Sequence, residues 1–254
     1  MKITFLGTGA ADYDWSRYGE PGIAGSTATL IDDRLLVDCG PTVPAALERF
    51  GRGARITDIV ITHNHDDHFL PGPLERVAAG SGGRIRLFGS PQVCAVAEPF
   101  CEVHPVDFGS RFSAAGYDFL ALPSNHTVED LFEKTFMYLV SGSGKTLLYA
   151  LDTAWMPSLA YRLLGKTRLD GVIWDGTMSE PGDWRIFEHS DPAMFAAMRK
   201  AMTDNGNIDG RTRVWFDHRA RTLWPTDPAE QDAIARRENV ELAREGETVY
   251  LTRD

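Results

Sequence analysis

His63-Asn64-His65-Asp66-Asp67-His68 places three imidazoles and two carboxylates in six consecutive residues, directly after the apolar run Ile59-Val60-Ile61. A continuous run of that kind reads as a buried strand, so the window sits where a strand stops and a loop begins. Imidazole nitrogen and carboxylate oxygen are ligands for zinc, manganese or iron, with zinc–imidazole bonds of about 2.0–2.1 Å. His63 and His65 are two apart and point the same way on an extended stretch. Asp67 and His68 follow where the chain must turn, and can face a second cation beside the first. The window therefore predicts one loop serving two metal ions.

Ligand types recur at the ends of other apolar runs. Leu120-Ala121-Leu122 leads to Ser124-Asn125-His126, Leu147 to Leu151 leads to Asp152-Thr153, and Val214-Trp215-Phe216 leads to Asp217-His218. Functional loops held at one rim of a rigid sheet have this arrangement. A sixth histidine, His189, stands before Ser190-Asp191-Pro192, which supply an N-cap and an early helical proline; Phe195, Met198 and Met202 then follow at helical spacing. A helix N-terminus there favours a nearby anion. His104 lacks such a context and reads as structural. Asp175, after the apolar Val172-Ile173-Trp174, has no assigned role, and neither does Asp217.

Phe5-Leu6-Gly7-Thr8-Gly9, Val37-Asp38-Cys39-Gly40, the H-x-H-x-D-H window, Ser124-Asn125-His126, Leu151-Asp152-Thr153 and Asp217-His218 together resemble the metallo-β-lactamase superfamily of dinuclear hydrolases over nearly the whole chain. The F-L-G-T-G start, with Gly25-Ser26-Thr27 before a strand, is most similar to the phosphodiesterase branch that includes tRNase Z and cyclic phosphodiesterases. The resemblance implies an α/β fold, a four-layer αβ/βα sandwich of two mixed β-sheets flanked by helices, as a single domain over 1–254. It implies His63, His65 and His126 around one metal, Asp67, His68 and His218 around the other, and Asp152 bridging both. It also implies that His189 assists the leaving group or the charge of the transition state. Phe216-Asp217-His218-Arg219 departs from the usual Thr-His followed by small polar residues.

Two cations about 3.5–4 Å apart lower the pKa of a bridging water and polarise the electrophile, so hydrolysis is the natural chemistry. Asp66, between the ligands and not needed as one, is expected either to orient the bridging hydroxide or to fix a ligand imidazole. The expected cofactors are two divalent ions, zinc first, with manganese or iron as alternatives. The expected function is a phosphodiesterase acting on a small phosphate ester, cyclic esters included. Two other readings stay open: hydrolysis of a lactone, thioester or β-lactam on the same metals, and a non-catalytic metal- or ligand-binding protein. Trp15 and Trp155 are candidates for a wall against a flat group, and Arg219 and Arg221 for a phosphate or carboxylate clamp.

Composition sets the partners. Acidic residues number 36 against 26 basic, a net charge of −10, which disfavours bulk nucleic-acid binding and favours a small-molecule substrate. No apolar run reaches the roughly 18 residues of a membrane span. The chain passes from Lys2 straight into an apolar strand without a secretory signal, so a cytoplasmic protein is expected. Cys39, Cys94 and Cys101 are odd in number, without C-x-x-C, and read as buried apolar side chains. A homodimer is compatible with this reading. Pattern and turn signals place strands at 3–6, 28–31, 34–37, 58–62, 85–88, 117–122, 135–140, 146–151, 171–174, 213–216 and 248–252. They place helices at 43–50, 72–79, 91–101, 156–164, 192–203 and 228–244, with a long loop over 8–25.

Overall fold

The computed structural model describes residues 1–52 and 55–252. The first sheet contains β1 (Lys2–Gly7), β2 (Ala28–Ile31), β3 (Leu35–Val37), β4 (Asp58–Val60), β5 (Arg86–Gly89), β6 (Glu102–Pro105) and the returning β14 (Thr248–Tyr250), in the order β14-β1-β2-β3-β4-β5-β6. The second contains β7 (Arg111–Ala114), β8 (Tyr117–Pro123), β9 (Phe136–Gly142), β10 (Lys145–Ala150), β11 (Gly171–Asp175), β12 (Arg213–Asp217) and β13 (Glu241–Leu242), in the order β13-β12-β11-β10-β9-β8-β7. Each sheet is mixed: β3 to β6 and β10 to β13 pair in parallel, the remaining neighbours antiparallel.

Strand alternation builds the layers. Val37, Val60, Ile173 and Trp215 turn into the space between the sheets, where they meet Phe5, Tyr138 and Tyr149. Their strand neighbours Leu36, Ile59 and Ile61 pack outward against α1 (Val43–Arg49), α2 (Pro71–Gly80) and α3 (Pro91–Ala97). Val172, Trp174, Val214 and Phe216 pack against α4 (Ser158–Leu164), α5 (Pro192–Asp204) and α6 (Pro228–Glu238). A strand buried on both faces reads as a continuous apolar run, which is why these segments were conspicuous in the sequence. The result is the expected α/β sandwich, two mixed sheets between helical layers.

Three strands were not foreseen. β6 and β7 lie at sheet edges, short and half exposed, so Glu102-Val103-His104-Pro105 and Arg111-Phe112-Ser113-Ala114 lack an apolar run. The third, β13, shortens the last helix: Asn239 adopts a left-handed conformation (φ 53°), α6 stops at Glu238, and Glu241–Leu242 pairs with β12 instead of continuing the helix to 244. α3 likewise ends at Ala97 rather than 101. The long loop carries one 3₁₀ turn at Trp15–Arg17. The three cysteines are free and buried, as expected, and His104 stacks on Phe88 with ring centroids 4.7 Å apart.

β3 and β4 run parallel in one sheet, and β8, β10, β11 and β12 share a direction in the other, so their carboxyl ends open at common rims. Among the described residues, no helix is long and apolar enough to cross a membrane.

Candidate metal centre

Each of these strand ends delivers a polar side chain to one buried cluster. Asp38 follows β3, His63 to His68 follow β4, His126 follows β8, Asp152 follows β10, Asp175 closes β11 and His218 follows β12. Asp38, Asp152 and His218 have positive φ, at 64°, 48° and 59°. For residues other than glycine that conformation costs of order 1 kcal/mol or more, and such strain collects where function fixes the chain.

Two sets of ligand atoms converge. His65 Nδ1 lies 3.1 Å from His63 Nε2 and 2.9 Å from His126 Nε2. Asp67 Oδ2 lies 3.1 Å from His218 Nε2 and 3.3 Å from His68 Nε2. Asp152 stands between the sets, its Oδ2 2.8 Å from His68 Nε2 and its Oδ1 3.3 Å from His218 Nε2 and 4.0 Å from His126 Nε2. Donors bonded to one cation at about 2.0–2.1 Å, with angles between right and tetrahedral, sit roughly 2.9–3.4 Å apart. The spacings within each set and that from Asp152 to His218 fall in this range, while Asp152 lies slightly closer to His68, at 2.8 Å, and farther from His126, at 4.0 Å.

Whether these residues fit a metal is tested by their other atoms. His68 Nε2 and Asp152 Oδ2 are both fully enclosed and neither has a hydrogen-bond partner, although they approach each other to 2.8 Å. Buried polar atoms without partners are costly, and a shared cation satisfies both. The far nitrogens are already held. His68 Nδ1–H donates to Asp38 Oδ2 at 2.8 Å, His63 Nδ1–H to Thr62 Oγ1 at 3.0 Å, and His218 Nδ1–H to Thr177 Oγ1 at 2.9 Å. Thr62 in turn donates its backbone N–H to Asp38 at 2.8 Å. Each bond fixes the tautomer that leaves Nε2 unprotonated for a metal.

Protonation follows the local charges. Burial strips the proton from His63, holding it well below the ordinary histidine range, and pushes His126 down to about 4. At His68 burial is outweighed by Asp152, Asp67 and Asp38, and at His218 by Asp152 and Asp67, so these two hold their protons more tightly than usual. For Asp67 and Asp152 burial is outweighed by the same histidines, which keep both carboxylates ionised.

All seven expected ligands, His63, His65, Asp67, His68, His126, Asp152 and His218, are thus brought together. His189 joins them: its Nδ1 donates to Asp175 Oδ2 at 2.9 Å and lies 3.6 Å from Asp152 Oδ1, and its ring stacks on His218 at 5.3 Å. Asp191, not Ser190, caps the helix that follows, accepting from Met194 N at 2.8 Å; Ser190 instead accepts from the buried Trp174 indole at 3.0 Å. Asp175 also accepts from the backbone N–H of Thr153 and Thr177, so its carboxylate is rigid.

Other expectations are corrected. Asp66 is exposed and makes no hydrogen bond among the described residues. On the stretch where His63 and His65 face inward, its side chain falls on the opposite side, and it does not reach the cluster. Arg219 turns its guanidinium away, donating to the carbonyls of Phe216 and Ala243 at 3.2 and 2.8 Å. Arg221 donates to the carbonyl of Asp12 at 3.1 Å. Both open on a cleft of about 510 Å³, shared with Tyr13, Trp224 and Arg244, that none of the seven ligands lines. Trp15 is half-buried on its 3₁₀ turn, with its indole N–H enclosed, and takes no part in the cluster's hydrogen bonds or ring contacts. Trp155 is 41% exposed, beside the Asp152 turn.

Asp38 and Asp175 were missed as positioning residues. The one available signal was a carboxylate directly after, or at the end of, a buried strand. Replacing Asp38 by alanine is expected to weaken metal affinity about 10- to 100-fold, as loss of an outer partner does. Asp38→Asn keeps an acceptor and tolerates the left-handed backbone, and should recover most of the affinity in a chelator competition.

Comparison with known proteins follows the same lines. Residues 33–206, more than half of the chain, match the family model described as the Beta-lactamase superfamily domain. The human Zinc phosphodiesterase ELAC protein 1 is 39% identical over 90 residues, which cover 34% of this chain and 23% of the human protein. Ribonuclease Z of Haloferax volcanii is 36% identical over 76 residues, 29% of this chain and 22% of that protein. The matches therefore span less than a quarter of these relatives. The crystal structure of the metallo-beta-lactamase fold protein YhfI from Bacillus subtilis superposes with a TM-score of 0.74 at 15% identity, covering 98% of both chains.

Proposed function

This chain belongs to the metallo-β-lactamase superfamily, and from that footing we propose that it is a dinuclear metal-dependent phosphodiesterase acting on a small phosphate ester. The observation that carries the reading is the carboxylate of Asp152, unpartnered on one oxygen and set between two groups of three ligand atoms. His63, His65 and His126 would hold one ion and Asp67, His68 and His218 the other, with Asp152 shared. Zinc is the proposed metal, in keeping with the zinc phosphodiesterases among the relatives and with an imidazole-rich donor set. Bound there, two cations would polarise the phosphoryl oxygens and supply an activated water.

The residues around the ligands supply orientation and a proton. Asp175 and Thr177 hold His189 by Nδ1, at 2.9 and 3.1 Å, which leaves Nε2 without a hydrogen bond among the described residues. The side chain is 15% exposed and Nε2 is not engaged by a protein partner among the described residues, which leaves that nitrogen free to face a substrate. Burial disfavours its charged form, but Asp175, Asp152 and Asp67 outweigh burial and raise its pKa to about 9. Asp175 binds no ion in this arrangement and favours the charged imidazole with the cations in place, so His189, held beside the reacting centre, would serve as a general acid for the departing alkoxide.

The test is turnover of bis-p-nitrophenyl phosphate and of an alkyl-leaving diester, alongside metal analysis and a lactone panel. Two ions per chain and diester hydrolysis are expected. His189→Ala should cost roughly 10²- to 10⁴-fold on the alkyl leaving group, and far less on p-nitrophenolate, which departs without a proton. Lactone hydrolysis without diester turnover would overturn the assignment.

A further inference from the structure

Resting on that reading, we propose that the substrate ester carries an apolar group and that the aromatic rim around the cluster selects for it. Trp184, Ile186 and Phe187 are 70, 39 and 77% exposed on the segment immediately before His189, and Leu131 is 77% exposed on the segment after His126. Trp155, three residues beyond Asp152, adds a fifth apolar side chain. Asn125 fastens the three segments together: its amide donates to the carbonyl of Phe187 at 3.1 Å and its oxygen accepts from Ala154 N and Trp155 N at 2.8 and 3.2 Å. The apolar side chains are therefore held by the same turns that carry His126, Asp152 and His189.

Trp155 also borders an apolar cleft. Trp155, Met156, Tyr161, Met198 and Met202 line an apolar space of about 350 Å³ between α4 and α5. A space of that volume beside Trp155 accommodates an alkyl chain or aryl group.

Charge excludes a polyanion from the same surface. Segments 127–134 and 183–188 present Glu129, Asp130, Asp183 and Glu188 at the surface against Lys134 and Arg185, Glu133 being buried on Ser90. Both cations are paired, Lys134 with Asp107 and Arg185 with Asp183. A nucleic-acid backbone is held by unpaired cations and would be repelled here. Exposed aromatic surface beside a reactive centre instead marks contact with an apolar ligand.

Calorimetric titration of the metal-loaded protein with dimethyl, dibutyl and dihexyl phosphate tests this without requiring turnover. Burial of one methylene is worth about 0.8 kcal/mol, close to fourfold in affinity, so even an open cleft should bind the dihexyl ester at least about tenfold more tightly than the dimethyl ester. Trp155→Ser and Phe187→Ser should flatten that dependence, whereas Tyr250→Ser, an exposed aromatic on β14 outside the rim, should not. Affinity independent of chain length, or a dependence untouched by the two rim variants, overturns the proposal. So does a change of oligomeric state in the rim variants with the dependence intact, which would make the rim a contact between copies. A chain-length dependence in a protein that turns over no diester would leave this inference standing and remove the phosphodiesterase assignment.

Discussion

Asp152→Asn is expected to lower kcat/KM for a phosphodiester by more than the 10- to 100-fold typical of losing an outer partner, because Asp152 stands between both ligand sets and is proposed to serve both. Asparagine has the same shape and accepts the left-handed conformation that Asp152 adopts at φ 48°, so the turn survives the change. What is lost is the negative charge between His68 and His218, whose nearest nitrogens are 2.8 and 3.3 Å away. An amide also brings two N–H donors into a site whose neighbours must act as metal ligands. Metal content should fall from two ions toward one or none, with circular dichroism unchanged. A variant that keeps two ions and its turnover would show that Asp152 does not bridge.

The contrast between Asp67 and Asp66 explains how much of this was legible in the sequence. Ligands cluster at the ends of doubly buried strands, and such strands appear as uninterrupted apolar runs; both signals are local, so the window after β4, His126, Asp152 and His218 stood out. The αβ/βα layering was supplied by resemblance, since runs such as Leu35-Leu36-Val37 give two buried faces without saying what covers each. Which way a loop side chain points is not local. Asp67 falls on the D of the H-x-H-x-D-H pattern and Asp66 on its x, so the pattern separates their ligand roles, but only the turn at 66–68 shows that Asp66 points outward while Asp67 reaches His218. Arg219 followed a ligand and seemed placed for substrate, yet the carbonyl ends of Phe216 and Ala243, brought together by β12 and β13, take its guanidinium. Asp38 and Asp175 were hidden for a related reason: each acts through a histidine distant in the chain, 30 residues away for His68 and 14 for His189.

Chelation should lower the melting temperature, and by more at pH 8 than at pH 6. Without metal, the raised pKa values of His68 and His218 contribute stability that is complete below the unfolded value of about 6.5 and is lost as pH rises through the folded value. The depressed values of Asp67 and Asp152 contribute above about 3.9 and are lost as pH falls through the folded value. Protons on the two histidines thus stand in for the cation, whereas His63 and His126, which burial keeps neutral, lose stability as pH falls below about 6.5, so the metal-free cluster is best satisfied near that value. Metal must displace those protons, at a cost of about tenfold in apparent affinity for each proton and pH unit. At 100 times Kd, metal stabilises the fold by about 2.7 kcal/mol per site, equivalent to roughly 5–10 °C in a chain of this size. That gap should shrink to less than half between pH 8 and pH 6 as the protons compete. Thermal scans with and without chelator at the two pH values decide the matter: a gap that is constant, absent, or larger at pH 6 would mean that the imidazoles and carboxylates of this cluster are satisfied by one another rather than by metal.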